Sequence, residues 1–279
     1  MNNNFFNFEY YLFDLWGVIH DGSLLYPGVY EVLQKLKTLN KNVAFISNAP
    51  RRAVIAKQTL HSLGVKESFT KNVMTSGECF YNYLLSLKNH TRYNNNNVFY
   101  IGPTKDISLL DGLNFNIITK NPENAQFGII TGFGDDVAND ENLQNILHKC
   151  LDVNLKLCCI NPDLVVIRQD GSFFECAGII ADMYKKLGGT VEYFGKPYPE
   201  IYNQVFKMIG VDGGGKSKVI AIGDSISTDI AGASQYGIAS AFCTYGIHSK
   251  DIKQKSLEAF ISSAKFKPNI IINTMKDLL

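Results

Sequence analysis

Tyr10-Tyr11-Leu12-Phe13-Asp14-Leu15-Trp16-Gly17-Val18 is the stretch on which the fold turns. An apolar run ends on a carboxylate, and a glycine follows three residues later. This is the pattern of a buried strand with Asp14 at its C-terminal tip, the edge at which open α/β sheets bind ligands. A carboxylate there is a nucleophile, a metal ligand or both, or else a turn-former that closes the strand. The stretch alone leaves these readings open.

The segments around it repeat the theme. After a turn at His20-Asp21-Gly22-Ser23, Val32, Leu33, Leu36 and Leu39 recur at helical spacing, with Lys35 and Lys37 on the polar side. Val43-Ala44-Phe45-Ile46 is a second apolar run, closed by Ser47-Asn48-Ala49-Pro50. Arg51 to Leu63 reads as a helix with Gly64 as its C-cap. Such alternation predicts a parallel sheet with helices on its faces. Toward the other end, Val191-Glu192-Tyr193-Phe194 runs into Gly195-Lys196-Pro197, and Ile201 to Ile209 reads as a helix. Val219 to Ile222 then runs into Gly223-Asp224-Ser225, with Asp229 just beyond. Ala239 to Cys243 and Pro268 to Ile272 are the last expected strands.

The middle of the chain is itself α/β. Ser76 is an apt N-cap for a helix reaching about Leu87, and the asparagine run from Asn94 to Asn97 reads as a surface loop. Strands are expected at Val98 to Ile101, Phe127 to Thr131 and Leu155 to Ile160, and helices at Asn142 to Cys150 and Ala177 to Leu187. Val165-Val166-Ile167 and Phe173-Phe174 flank a turn at Asp170-Gly171, a hairpin signal. An insertion of this size is most simply a second domain lying over the sheet tips.

Bulk properties narrow the function classes. The 279 residues are 46% hydrophobic and 19% charged, a globular composition. Lys and Arg number 27 against 26 Asp and Glu, so no basic footprint for nucleic acid or a membrane surface is expected. No stretch has the length of a membrane helix, and the first residues lack the features of a signal peptide. Cys79, Cys150, Cys158, Cys159, Cys176 and Cys243 form no CxxC pair and no zinc spacing, which suits free thiols in a reducing cytoplasm. Gly210 to Ser217 formally matches a phosphate-binding P-loop. That loop must follow a strand and open a helix, whereas here a helix precedes and a strand follows, so it reads as a flexible glycine turn.

Four strand ends carry reactive groups in chain order: Asp14, Ser47-Asn48, Lys196, and Asp224 with Asp229. In a parallel sheet these tips share one edge. Several carboxylates around one point repel unless a cation joins them, and an all-oxygen set suits Mg²⁺. A hydroxyl, an amide and a lysine beside them suit phosphate oxygens. Phosphoryl transfer from an ester to Asp14 is then chemically sensible.

Phe13-Asp14-Leu15-Trp16-Gly17-Val18, Ile46-Ser47-Asn48, Gly195-Lys196-Pro197-Tyr198-Pro199 and Gly223-Asp224-Ser225-Ile226-Ser227-Thr228-Asp229-Ile230 resemble the four motifs of the haloacid dehalogenase-like hydrolases. The match is best with subfamily IIA, the NagD-like phosphatases, and Asn161-Pro162-Asp163 resembles that family's cap motif, so that Asn161 and Asp163 are expected to line the substrate site from the cap. The resemblance implies a Rossmann-like parallel-sheet core at 1–77 and 191–279 with an inserted α/β cap at 78–190. It implies that Asp14 forms an aspartyl-phosphate. It also implies that Asp14, the main-chain carbonyl of Trp16 and Asp224 bind Mg²⁺. Ser47 and the Asn48 backbone would hold the phosphate, and Lys196 would neutralise it together with Asp14. Asp229 would bind Mg²⁺ through water or orient Lys196. The expected substrate is a small phosphorylated metabolite, and homodimers formed through the caps fit the resemblance.

Trp16 departs from the family pattern. Phosphatases of this family carry Asp there, which protonates the leaving group and then activates water. An indole has no usable proton-transfer pKa, and general acid–base help is worth roughly 10² to 10⁴-fold. Trp16 therefore implies a slow phosphatase, a good leaving group, or a substitute acid such as His20 or Asp21. Dehalogenases of the family carry Tyr at this position and need no metal. Each candidate also has a plain structural reading: a turn or N-cap for Ser47, a Pro-containing turn for Asn161 and Asp163, and a turn residue for Asp21. The expected function is Mg²⁺-dependent hydrolysis of small phosphate monoesters. The alternatives are a dehalogenase-like C–X hydrolase and a catalytically silent binding protein on the same scaffold.

Overall fold

The computed structural model describes residues 4–88, 96–134, 140–167 and 172–279. The first two asparagines of the 94–97 run and the turn at Asp170-Gly171 lie outside them. The chain begins in one parallel sheet with β1 (Tyr10–Asp14), α1 (Val29–Thr38), β2 (Asn42–Ser47), α2 (Ala53–Ser62) and β3 (Val73–Thr75). It continues through α3 (Ser76–Lys88) into a second sheet. This segment holds β4 (Asn97–Ile101), β5 (Asn116–Ile118), β6 (Phe127–Ile130), α4 (Asp140–Asp152), β7 (Leu157–Cys159), β8 (Val165–Ile167), β9 (Phe173–Glu175), α5 (Ala177–Lys186) and β10 (Val191–Tyr193). It returns through α6 (Pro199–Ile209) to β11 (Val219–Gly223), α7 (Ala231–Tyr236), β12 (Ala239–Cys243), α8 (Ser249–Lys255), α9 (Leu257–Ser263) and β13 (Ile270–Ile272).

The first sheet has the order β13-β12-β11-β1-β2-β3 and the second β10-β7-β6-β4-β5, with parallel pairings throughout both. β8 and β9 form a separate antiparallel pair, as the hairpin signal predicted. Strands buried on both faces explain the unbroken apolar runs. In β1, Tyr11 and Phe13 enter one core with Phe45 and Ile220, while Leu12 faces the other with Ala44, Ile46 and Ala221. A one-residue slip would exchange these faces, so the register is firmly set. The Leu12 core continues through α3 and α6 to Val98, Phe127, Ile129 and Phe194, which join the two sheets. In α1, Val29, Val32, Leu33 and Leu36 are buried at helical spacing.

Several expectations are corrected. The expected return to the first sheet lies at residue 191. Val191–Tyr193 instead pairs with β7, so the crossing back falls at Phe194 to Lys196. Asn97 opens β4 and is not loop. The glycine turn at 213–218 is a short 3-10 helix, because the Asp212 carboxylate accepts from the N–H groups of Gly214 and Gly215. All six cysteines are free and buried. Among the described residues, no helix is long and apolar enough to cross a membrane.

Candidate active site

β1 lies between β2 and β11, so its tip is flanked by theirs. Asp14 stands opposite Ile46, one residue before Ser47. Phe13 stands opposite Ile222, two residues before Asp224. Parallel pairing thus sets Asp14, Ser47 and Asp224 along one short length of sheet edge. Lys196 arrives from the crossing segment that leads back from the second sheet.

Lys196 is 3% exposed, and its ammonium joins two carboxylates. Nζ donates to Asp14 Oδ1 at 2.5 Å and to Asp229 Oδ1 at 2.7 Å. The Asn48 side chain holds the lysine backbone, since Nδ2 donates to Lys196 O at 3.0 Å and Oδ1 accepts from Lys196 N at 2.7 Å. Gly195 has φ +124°, and a Cβ on it would sit 2.2 Å from Ser76 Oγ and 2.7 Å from Asn48 Oδ1. A side chain there would break the clamp, which is why the lysine follows a glycine.

Asp224 is seated by backbone. Its Oδ2 accepts from Ile247 N at 2.7 Å. A Cβ at Gly17 (φ +86°) or at Gly246 would lie 2.0 Å from the same oxygen. Asp229 has both oxygens engaged, Oδ1 by Lys196 and Oδ2 by Ser225 N at 3.1 Å. It sits on a single π turn at Ile226–Ile230, a local rewinding common at functional sites.

Asp14, Asp224 and Asp229 are all buried, and each offers a carboxylate oxygen within 4.8 Å of the others. One ammonium faces three carboxylates, so negative charge is in excess. Burial pushes Asp224 up to about 7, with the Asp229 charge adding to it. Burial also raises Asp14 well above the usual carboxylate range; the neighbouring Asp229 and Asp224 add to this, and Lys196 works against it. Burial alone would lower Lys196, but Asp14, Asp229 and Asp163 outweigh it and hold the ammonium charged. The residues fit a hard divalent cation: the donors are all oxygen, they converge, and a positive charge would relieve their repulsion.

The remaining sequence candidates divide. Ser47 Oγ accepts from Ala49 N at 3.2 Å, so the hydroxyl closes its own turn while standing at the tip beside Asp14. Asp163 reaches over from the second-sheet segment, where its Oδ1 accepts from Asn48 Nδ2 at 2.8 Å. Burial raises Asp163 to about 6. Asn161 shapes the turn that carries Asp163, its Oδ1 accepting from Asp163 N at 3.2 Å. Asp21 Oδ1 accepts from Ser23 N and Leu24 N, a turn role. His20 is buried, its Nδ1 accepts from Gly22 N at 3.0 Å, and burial lowers its pKa to about 4, which leaves it neutral. Trp16 donates its indole N–H to Ile167 O at 2.9 Å.

Sequence reasoning missed the glycine seats and the part played by β12. That strand ends on Cys243 without a polar group, yet Gly246 and Ile247 beyond it position Asp224. The one available signal was a glycine three residues after an apolar run, the spacing also seen between Asp14 and Gly17.

A family model described as haloacid dehalogenase-like hydrolase matches residues 11–116. A second, described as HAD-hydrolase-like, matches residues 193–278. Together they cover more than half of the chain. Chronophin of Mus musculus is 23% identical over 272 residues, covering 96% of this chain and 91% of that protein. Sugar-phosphatase AraL of Bacillus subtilis (strain 168) is 24% identical over 272 residues, covering 96% and 90%. Among solved structures, a haloacid dehalogenase-like family hydrolase from Brucella suis 1330 superposes with a TM-score of 0.79 at 26% identity, covering 96% of both chains.

Proposed function

Because the chain belongs to the haloacid dehalogenase-like hydrolases, we propose that it hydrolyses small phosphate monoesters through an aspartyl-phosphate on Asp14. One observation carries the reading: a buried lysine bonded to the strand-tip Asp14 and to Asp229, with the carboxylate of Asp224 beside them. The name of AraL, a sugar-phosphatase, supports the same substrate class.

In this proposal a carboxylate oxygen of Asp14 attacks phosphorus in line with the ester oxygen. Two of the three N–H groups of Lys196 hold Asp14 and Asp229, which leaves a third for a phosphate oxygen. The Ser47 hydroxyl and the Asn48 backbone take the other oxygens from the β2 side. Asp229 keeps Lys196 in place, and Asn48 fixes its backbone. Asp14, the Trp16 carbonyl, Asp224 and Asp229 would hold Mg²⁺, which supplies charge neutralisation for the carboxylates and the phosphate. Water then attacks the acyl phosphate, releasing inorganic phosphate and restoring Asp14. The second-sheet segment acts as a cap, with Asp163 bonded to Asn48 of the clamp.

The test is phosphate release from a panel of monoesters, with Mg²⁺ and with EDTA. Metal-dependent release that disappears in Asp14→Asn is the expected result. Metal-independent turnover of haloacids would assign a dehalogenase instead. Absence of turnover alongside retained metal binding would assign a silent scaffold.

A further inference from the structure

Trp16 and Asn48 stand two residues beyond Asp14 and Ile46, which pair in register on adjacent strands. Both reach up to one short segment of the second-sheet region. Asn48 Nδ2 bonds Asp163 Oδ1 at 2.8 Å, and Trp16 Nε1 bonds Ile167 O at 2.9 Å. Residues 163 to 167 are therefore tied at one end to the tip of β2 and at the other to the tip of β1, beside Asp14. The Trp16 ring is wedged: a Cβ at Gly22 would lie 2.6 Å from its Cη2, and its edge meets His20 with centroids 5.8 Å apart. The residue nevertheless stays 36% exposed. With its only N–H committed, it offers an incoming molecule an apolar π face and no proton.

Two polar groups beside the ring hold backbone amides. Asp21 Oδ1 holds the Ser23 and Leu24 amides, and His20 Nδ1 holds the Gly22 amide. The ring supplies no proton, so a leaving group departing past it draws none from Trp16. We propose that Trp16 is a specificity-determining residue that restricts the site to phosphate esters whose leaving group departs as a stable anion, with aryl phosphates as the class that also fits its exposed ring. The inference rests on the phosphatase reading. In the first step the Asp14 carboxylate forms a bond to phosphorus, the bond to the aryl oxygen breaks, and its electron pair leaves with the phenolate. In the second, water attacks phosphorus, the acyl oxygen keeps the bonding pair, and dihydrogen phosphate and the Asp14 carboxylate result. One ester dianion and one water thus give one phenolate and one dihydrogen phosphate.

The experiment measures kcat/KM with Mg²⁺ for para-substituted phenyl phosphates of graded phenol acidity and for n-propyl phosphate. This parameter reports the step in which the leaving group departs. The expected result is a steep fall with rising leaving-group pKa, the alkyl ester being slower than the most reactive aryl ester by roughly 10²-fold or more. Trp16→Asp is expected to narrow that gap by about tenfold or more, and Trp16→Phe to keep it. Wild-type rates for alkyl and aryl esters within about tenfold of each other would overturn the proposal. A slope that steepens in Asp163→Asn would overturn it as well, since Asp163 would then be the proton source. Trp16 is the only tryptophan, so its emission gives a second readout. In Asp14→Asn, phenyl phosphate should quench it and n-propyl phosphate should not; equal responses would remove the role of the ring. Phosphate release with a flat slope defeats this inference alone, whereas no release from any ester defeats the phosphatase reading and this inference with it.

Discussion

In the first sheet, β1, β2 and β11 end at Asp14, Ser47-Asn48 and Asp224; in the second, β4, β6 and β7 end at Ile101-Gly102-Pro103, Thr131-Gly132 and Ile160-Asn161-Pro162. Both sheets are parallel, and both bury apolar strands between helices. Polar groups at the second set of tips turn inward: Tyr100 Oη lies 2.7 Å from Thr131 Oγ1 and donates to Pro103 O at 2.8 Å. At the first set they converge on one point and remain short of positive charge. The same architecture thus yields an edge whose polar groups bond one another in one place and a charged cleft in the other, and the difference lies in a few tip residues.

The sharpest way to break the contrast is Asp14→Asn. It should abolish phosphate release by roughly 10⁴-fold or more while the protein stays folded, because it removes one charge from a crowded cluster. Thermal unfolding without metal should show no loss of stability. Lys196→Met acts in the opposite sense. It strands Asp14 and Asp229 without their cation and should cost about 3 to 5 kcal/mol in denaturant unfolding, in addition to the lost activity. Gly17→Ala places a methyl 2.0 Å from Asp224 Oδ2. It should weaken the apparent Mg²⁺ affinity by roughly 10 to 100-fold with the fold intact, as read by metal titration.

A smaller effect distinguishes the tips by pH. The folded-state pKa of Asp224 is raised from 3.8 to about 7, so in this window the folded protein holds a proton that the unfolded chain has released. Its contribution to stability is full below pH 4 and is lost as pH rises through 7. In EDTA the melting temperature should therefore fall between pH 5 and pH 8, and Asp224→Asn should flatten that fall. Stability that rises over the same range would contradict the charge crowding. Thr131→Val, at a tip of the second sheet, should cost only about 1 kcal/mol and leave kcat/KM unchanged.

Asp14, Lys196, Asp224 and Asp229 were legible because each closes or closely follows an apolar run, and a parallel sheet brings such ends to one edge. The short strands β3 and β5 were not: Val73-Met74-Thr75 runs directly into α3, and Asn116-Ile117-Ile118 is only three residues long. Nor were α8 and α9, which have no fully buried residue to mark a face. Asn48 was read as a phosphate holder through its backbone; its side chain proved to be the link among Lys196, Asp163 and Ser76. The boundary at 191 failed because an apolar run does not say which of two sheets it joins.

Local pattern was therefore enough for most of the elements, the parallel alternation and the carboxylates that end the strands, since burial imposes periodicity on neighbours in sequence. Tertiary structure alone decided which groups face each other. The bond from Trp16 to Ile167 spans 151 positions, and that from Lys196 to Asp14 spans 182. The seating of Asp224 between Gly17 and Gly246 is a matter of backbone approach. Contacts of this kind leave no periodic trace, because they depend on how two sheets and their connections pack in space and not on the spacing of residues along the chain.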